Sequence, residues 1–129
     1  MPCLRAVLIG HSHGAVTVTS VTAALDRRYS ARLYGVLIDR STVLYDRFAT
    51  DYPAKTPLLN VFQLNEGWHG EPLPFANVTN IDASSETAPI APSDGGGPTT
   101  HVTHKTLDDS PAAQHEIADA IMTWATAAP

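Results

Sequence analysis

The chain has 129 residues, which is enough for one domain with a modest hydrophobic core. Hydrophobic residues make up 43% of it, charged residues make up 16%, and the formal net charge is −5. Because only eight residues are Lys or Arg, we expect no nucleic acid partner, and no apolar run approaches the roughly 20 residues of a membrane span.

The amino terminus shows no sign of a signal peptide. Its apolar run "AVLI" is too short for one and leads directly into a glycine- and histidine-rich motif. The compartment therefore stays open, with the cytoplasm as the default expectation. The lone Cys3 has no partner for an internal disulfide, so stability must come from packing.

Two elements are expected in the first quarter of the chain. Residues 4–10, "LRAVLIG", form a short apolar run closed by glycine and predict a buried strand. Residues 15–25 are rich in Val and Thr, which favours a strand, but Val18, Val21 and Leu25 recur at helical spacing. We predict a helix here because of the motif that precedes it.

Two further apolar runs predict strands at residues 31–40 and 57–66, and residues 76–82 predict a fourth, weaker strand. Residues 41–56 form a mixed connection in which we expect a short helix before Pro53. Residues 83–100 are rich in Pro, Gly and Ser and predict a long, mobile loop.

The last element is the clearest helix. Asp109 or Ser110 can cap it and Pro111 suits its first turn. Its apolar stripe comprises Ala113, Ile117, Ile121 and Trp124. Strands that alternate with helices or long connections predict an α/β fold, here a small parallel sheet of about four strands with flanking helices in one domain, residues 1–129.

The motif "GHSHG", residues 10–14, places Ser12 between an apolar strand and a helix. A serine hydroxyl is a weak nucleophile and needs a base and an oxyanion site. A very tight strand-to-helix turn exposes such a serine, and glycines two residues away on each side relieve the crowding. The motif alone is weak, but its strand and helix context favours a catalytic serine.

The stretch "LRAVLIGHSHGAVTVTSVTAAL" resembles the nucleophile elbow of the α/β-hydrolase superfamily, in its esterase and lipase branch. The ending "HVTHKTLDDSPAAQHEIADAIMTW" resembles the family's histidine loop and last helix. The resemblance implies a truncated, C-terminal-half version of that fold. It also implies a serine esterase that hydrolyses short-chain carboxylic esters through an acyl-enzyme, with no cofactor.

The family order of nucleophile, acid and histidine makes His104 the expected base, because it lies just before the last helix. His101 is the reserve, and His115 is expected on the helix surface. For the acid, the resemblance favours Glu66, which follows the third strand, with Asp39 as the alternative. Asp82, after the fourth strand, ranks third, since a loop carboxylate is usually a cap or a surface group.

The remaining aromatic and histidine residues are expected to shape the pocket. His11, Trp68 and His69 are candidate substrate-binding residues, with residues 83–100 as a further wall. A metal site is a weaker alternative that would use His13 and His101 together with His11 and His104. No compact ligand spacing supports it, so we expect no metal.

The oxyanion site is expected to use the backbone N–H of His13. In the family a loop before the elbow supplies the second donor, but only nine residues precede Gly10. The glycines in residues 93–98 could replace that donor, although such a stretch is usually plain loop. Loss of one donor typically costs about 10²- to 10³-fold in rate.

The resemblance also predicts that one edge of the first strand is uncovered, because the strands that precede the elbow in the family are absent here. An apolar exposed strand edge invites pairing, so we expect a homodimer or larger assembly joined through this strand. The small-molecule partner would be an ester. A non-catalytic alternative is a truncated hydrolase half that acts as a binding or interaction module.

Overall fold

The computed structural model describes residues 4–41, 51–90, 96 and 99–128. Within these ranges, four strands form one parallel sheet in the order β1-β2-β3-β4. The strands are β1 (Ala6–His11), β2 (Leu33–Ile38), β3 (Leu58–Phe62) and β4 (Val78–Asp82). The predicted four-stranded parallel sheet is therefore confirmed. The short helix expected before Pro53 falls largely on residues 42–50, which lie outside the described ranges.

Two helices flank the sheet, α1 (His13–Tyr29) and α2 (Pro111–Thr126). Alternate residues of β2 point to opposite faces, as the pleat of a strand requires. Val36 on one face belongs to the apolar cluster that includes Ile117 of α2. Leu37 on the other face belongs to the cluster that includes Val18 of α1. The two helices thus cover opposite faces of the sheet.

The Val- and Thr-rich segment of α1 is helical, as predicted, but its buried face differs from the predicted stripe. Val18 is buried, whereas Val21 is 36% exposed. Thr19 and Thr22 are buried instead, and their hydroxyls donate to helix carbonyls one turn earlier, at 2.8 and 2.7 Å. These internal bonds let threonine lie against the sheet without an unsatisfied hydroxyl.

The last helix matches its prediction closely. The Ser110 side chain accepts the N–H of Ala113, and Pro111 occupies the first turn. The predicted apolar stripe packs on the α2 side of the sheet, with Ala113 and Ile117 buried. In the described ranges, no helix is both long and apolar enough to cross a membrane.

The stretch of residues 83–100 is not loop alone. It contains β5 (Thr87–Ala88), which pairs antiparallel with β6 (Thr100–His101). The Val102 N–H, just after β6, donates to the Glu86 carbonyl at 3.0 Å. This small ladder anchors the start of the segment that carries His104.

Candidate active site

The serine turn joins β1 directly to α1. Ser12 has φ 55° and ψ −117°, a conformation that costs free energy for any residue except glycine. Its N–H donates to the Ile38 carbonyl at 2.9 Å, and its carbonyl accepts the Ala15 N–H at 3.1 Å. Hydrogen bonds on both sides therefore hold the strained serine at the carboxyl end of the sheet.

The two glycines of the motif do different things. A Cβ on Gly10 would lie 2.3 Å from the backbone of Gly14 and 2.6 Å from the Ala15 nitrogen, so no side chain fits there. A Cβ on Gly14 would meet nothing within 4 Å. Crowding was predicted at both glycines. It is present at Gly10, where the start of α1 passes close to the strand, and absent at Gly14.

His104 lies between the serine and a carboxylate. Its Nε2 is 2.7 Å from Ser12 Oγ, and its Nδ1 is 2.8 Å from Asp39 Oδ2. A carboxylate only accepts hydrogen bonds, so Nδ1 carries the proton and Nε2 is left to accept from the serine hydroxyl. The imidazole is 12% exposed and the carboxylate is fully buried, so water competes little for these bonds.

Asp39 is fixed by the end of β3 and the loop after it. Its backbone adopts a left-handed φ of 44°, and its N–H donates to the Val61 carbonyl at 2.7 Å. Oδ1 accepts the Gly70 N–H at 2.6 Å, and Oδ2 accepts the Gln63 amide at 2.9 Å. A Cβ on Gly70 would lie 3.1 Å from Oδ1, so glycine lets this backbone approach the carboxylate.

The acid favoured from the sequence, Glu66, does not meet the imidazole. Its carboxylate accepts the backbone N–H of His104 instead. Asp39, the alternative acid, occupies the position predicted for Glu66. The physical reason lies in the sheet order, because Asp39 follows β2, which lies between β1 and β3 and so ends beside the serine turn. Asp82 accepts the backbone N–H of Ser84 in its own turn at 2.9 Å.

The three predicted pocket residues have different surroundings. His11 Nε2 lies 2.7 Å from the carbonyl of His104, and the two rings are 5.1 Å apart. The Trp68 ring meets His104 edge-on at 5.9 Å and is 50% exposed. His69 turns its Nδ1 to the Gly70 carbonyl at 2.6 Å. His11 and Trp68 therefore contact His104, whereas His69 binds the neighbouring backbone.

The other two candidate bases are both exposed. His101 is an exposed residue of β6. The His115 side chain is 78% exposed on α2, as predicted, and its Nε2 lies 3.2 Å from Asp119. Across the part of the chain that the structure describes, no three His, Cys, Asp or Glu side chains are grouped to hold a metal ion. The four-histidine alternative has no support from this arrangement.

A shallow cleft opens beside the imidazole. Its volume is about 290 Å³, and it is lined by Glu66, Trp68, Thr103, His104 and Lys105. His13 is the first residue of α1, which places its backbone at the positive end of the helix dipole. Of the predicted second oxyanion donors in residues 93–98, only Gly96 lies within the described residues.

Sequence reasoning missed Gln63 and Gly70, which both donate to Asp39. Gln63 is fully buried directly after β3, and its amide also donates to the Trp68 carbonyl at 2.9 Å. A polar residue at the end of an apolar run was the available signal. Gly70 gave a weaker one, because glycine in a polar turn usually needs no further explanation.

Comparison with models of protein families, with curated proteins and with solved structures finds no match to this chain. What the protein does is therefore inferred from the geometry of the site and from general chemistry.

Proposed function

We propose that this protein is a serine hydrolase of the α/β-hydrolase type that cleaves short-chain carboxylic esters. One observation carries the proposal: a continuous chain of hydrogen bonds runs from the Ser12 hydroxyl through His104 to the buried carboxylate of Asp39. The strained backbone of Ser12 adds support, because strain of this kind clusters at active sites.

In this mechanism Ser12 Oγ attacks the ester carbonyl while His104 Nε2 takes the hydroxyl proton. A bond forms between Oγ and the carbonyl carbon, and the carbonyl oxygen becomes an oxyanion. Collapse of this intermediate breaks the bond to the alcohol, which leaves with the proton from Nε2. Water then repeats the sequence on the acyl-enzyme and releases the acid. Asp39 holds the tautomer and stabilises the imidazolium.

The oxyanion needs donors close to Ser12. The backbone N–H of His13 is the proposed donor, since the residue after the nucleophile supplies one in this kind of turn. The amino-terminal end of α1 adds a favourable dipole.

The size of the cleft favours small substrates. A volume of about 290 Å³ lies at the lower limit of ordinary ligand sites. Trp68 offers an apolar ring beside the base, and this suits a short acyl or alcohol group. We therefore expect faster hydrolysis of acetate and butyrate esters than of long-chain esters.

Covalent labelling provides the decisive experiment. A fluorophosphonate probe is expected to label the wild-type protein at Ser12, and the protein is expected to hydrolyse p-nitrophenyl acetate. The Ser12→Ala variant should lose both reactions while its unfolding temperature changes little. A wild-type protein that stays unlabelled would favour the non-catalytic binding module instead, and activity that survives in Ser12→Ala would exclude this nucleophile.

We also propose a homodimer joined through β1. In the described part of the chain, β1 pairs only with β2, and Ile9 on it is 54% exposed. The other edge strand, β4, carries Thr, Asn and Asp and is less suited to pairing. Light scattering after size-exclusion chromatography should give twice the chain mass, and Ile9→Lys should give the monomer. A wild-type monomer at high concentration contradicts the proposal.

A further inference from the structure

His104 is bound at all four of its polar positions. Its two ring nitrogens meet Ser12 and Asp39, as described above. Its backbone N–H donates to the carboxylate of Glu66, and its backbone carbonyl lies 2.7 Å from His11 Nε2. The last two contacts touch no reacting atom of the proposed mechanism.

The His104 carbonyl determines which group donates in its hydrogen bond with His11. A carbonyl oxygen only accepts, so His11 Nε2 must carry the hydrogen. This bond ties the last residue of β1, directly before the nucleophile, to the loop that carries the base. The Glu66 bond ties the backbone N–H of His104 to the loop after β3.

The turn around His104 has its own hydrogen bonds, but they hold its neighbours. Thr103 N–H donates to the Thr106 hydroxyl at 2.9 Å, and Thr106 N–H donates back to the Thr103 carbonyl at 3.1 Å. Neither bond involves the backbone polar groups of His104. The Thr103 carbonyl shares a peptide unit with the His104 N–H, so the turn fixes one side of that unit. The bonds to the N–H and the carbonyl of His104 itself come from Glu66 and His11.

We propose that His11 and Glu66 are positioning residues that grip the backbone of His104 from both sides and keep its Nε2 at bonding distance from Ser12. This inference rests on the proposed hydrolase function. It assigns Glu66 a role different from that of a triad acid, since the required property is an accepting oxygen and not a negative charge.

The experiment on Glu66 separates the role of its accepting oxygen from the role of its negative charge. Glu66 is exposed and so can be changed at little cost to folding. Glu66→Gln keeps an accepting oxygen at the same reach, whereas Glu66→Ala removes it. We expect kcat for p-nitrophenyl acetate to fall by about 10- to 100-fold in Glu66→Ala, because small misplacements of catalytic groups have effects of this order. Glu66→Gln should stay within about threefold of the wild type.

His11 is tested with a ring of similar size. His11→Phe keeps an aromatic ring against His104 and removes the donor, and it should lower kcat by roughly tenfold with KM nearly unchanged. His11→Gln keeps an N–H donor and should recover part of the loss. The exposed pair on α2 supplies matched controls, His115→Phe and Asp119→Ala, which should both leave kcat unchanged.

The outcomes separate the two proposals. If Glu66→Gln loses as much activity as Glu66→Ala, the charge matters and the positioning role is overturned. If KM rises while kcat stays constant, Glu66 binds substrate and the inference is also overturned. Failure of the hydrolase proposal shows separately, as a wild-type protein that neither reacts with the fluorophosphonate probe nor hydrolyses the ester.

Discussion

Among the residues that the structure describes, two aspartates are buried, and they lie at opposite ends of the sheet. Asp26, near the end of α1, lies by the amino end of β3, while Asp39 follows the carboxyl end of β2. Asp26 is 7% exposed and Asp39 is fully buried. Both accept several hydrogen bonds, so burial and bond number alone do not distinguish them.

The donors distinguish them. Asp26 accepts the backbone N–H groups of residues 54–56 and the Thr56 hydroxyl, none of which titrates near neutral pH. Asp39 accepts two backbone N–H groups and the Gln63 amide, and in addition the imidazole of His104. Of these two carboxylates, Asp39 is the one whose donor also contacts a serine hydroxyl, and this contact distinguishes the proposed catalytic site from a structural carboxylate.

The substitution Asp39→Asn gives the strongest test of this difference between the two aspartates. An amide facing Nδ1 favours the tautomer that puts the proton on Nε2 of His104, and that nitrogen can then no longer accept from Ser12. We expect kcat to fall on the order of 10⁴-fold, measured with p-nitrophenyl acetate. Glu66→Gln is the matched control, and a larger loss in that variant would return the acid role to Glu66.

How far the sequence predicts this site depends on how local each part is. Ser12 was predictable because strand, glycine and helix are adjacent in the chain. His104 followed from its place before α2. The acid was predicted as Glu66, whereas the ring of His104 contacts Asp39 and Glu66 contacts its backbone. The two carboxylates are easily confused in the sequence because they follow adjacent strands.

The choice between those carboxylates depends on features that no local pattern contains. The left-handed turn at Asp39 and the close approach of Gly70 exist only after β2 and β3 pair. The buried face of α1 was also not predictable from the sequence pattern. Thr19 and Thr22 are buried there because their hydroxyls donate to carbonyls of the helix itself. The first three strands were predictable because they are largely apolar runs, whereas polar residues interrupt β4 and make its signal weaker.

The reciprocal experiment is Asp26→Ala. It removes the acceptor for the N–H groups of residues 54–56, and buried donors left without a partner are costly. We expect the free energy of unfolding to fall by about 3 kcal/mol in urea or guanidinium denaturation. The kcat of the folded fraction should stay at the wild-type value. A specific loss of kcat at full folding would contradict the division between the two aspartates.

A smaller test examines one donor of the Asp26 network. Thr56→Val removes the hydroxyl that lies 2.7 Å from Asp26 Oδ1 and keeps the side-chain shape. The unfolding free energy should fall by about 1.5 kcal/mol, typical of a hydrogen bond to a charged group. Thr56→Ser restores the hydroxyl and should be closer to the wild type. Equal losses in both variants would assign the effect to packing.

A third carboxylate, Glu86, has a pKa that is shifted in the direction opposite to that of Asp26. Burial raises the pKa of Asp26, but bonds from Thr56, Lys55 and Ala54 outweigh it and lower that pKa below 3.8. Burial, together with the neighbouring carboxylate of Glu116, raises the pKa of Glu86 from 4.5 to about 7, although the Ser110 hydroxyl opposes the shift.

The two shifts have opposite consequences. A lowered folded-state pKa gives stability that is present above 3.8 and lost as pH falls through the folded value of Asp26. A raised folded-state pKa, as at Glu86, gives stability that is present below pH 4.5 and lost as the pH rises through about 7. The unfolding temperature should therefore fall by a few degrees between pH 5 and pH 8.

Glu86→Gln isolates that last effect. The variant cannot ionise, so the fall in unfolding temperature between pH 5 and pH 8 should shrink, whereas Asp26→Ala should keep the fall and lose only the drop at acid pH. The effect is the smallest of the set because Glu86 is partly exposed and water screens its charge. Differential scanning calorimetry across this range measures it, and an unchanged slope in Glu86→Gln would show that other groups cause the dependence.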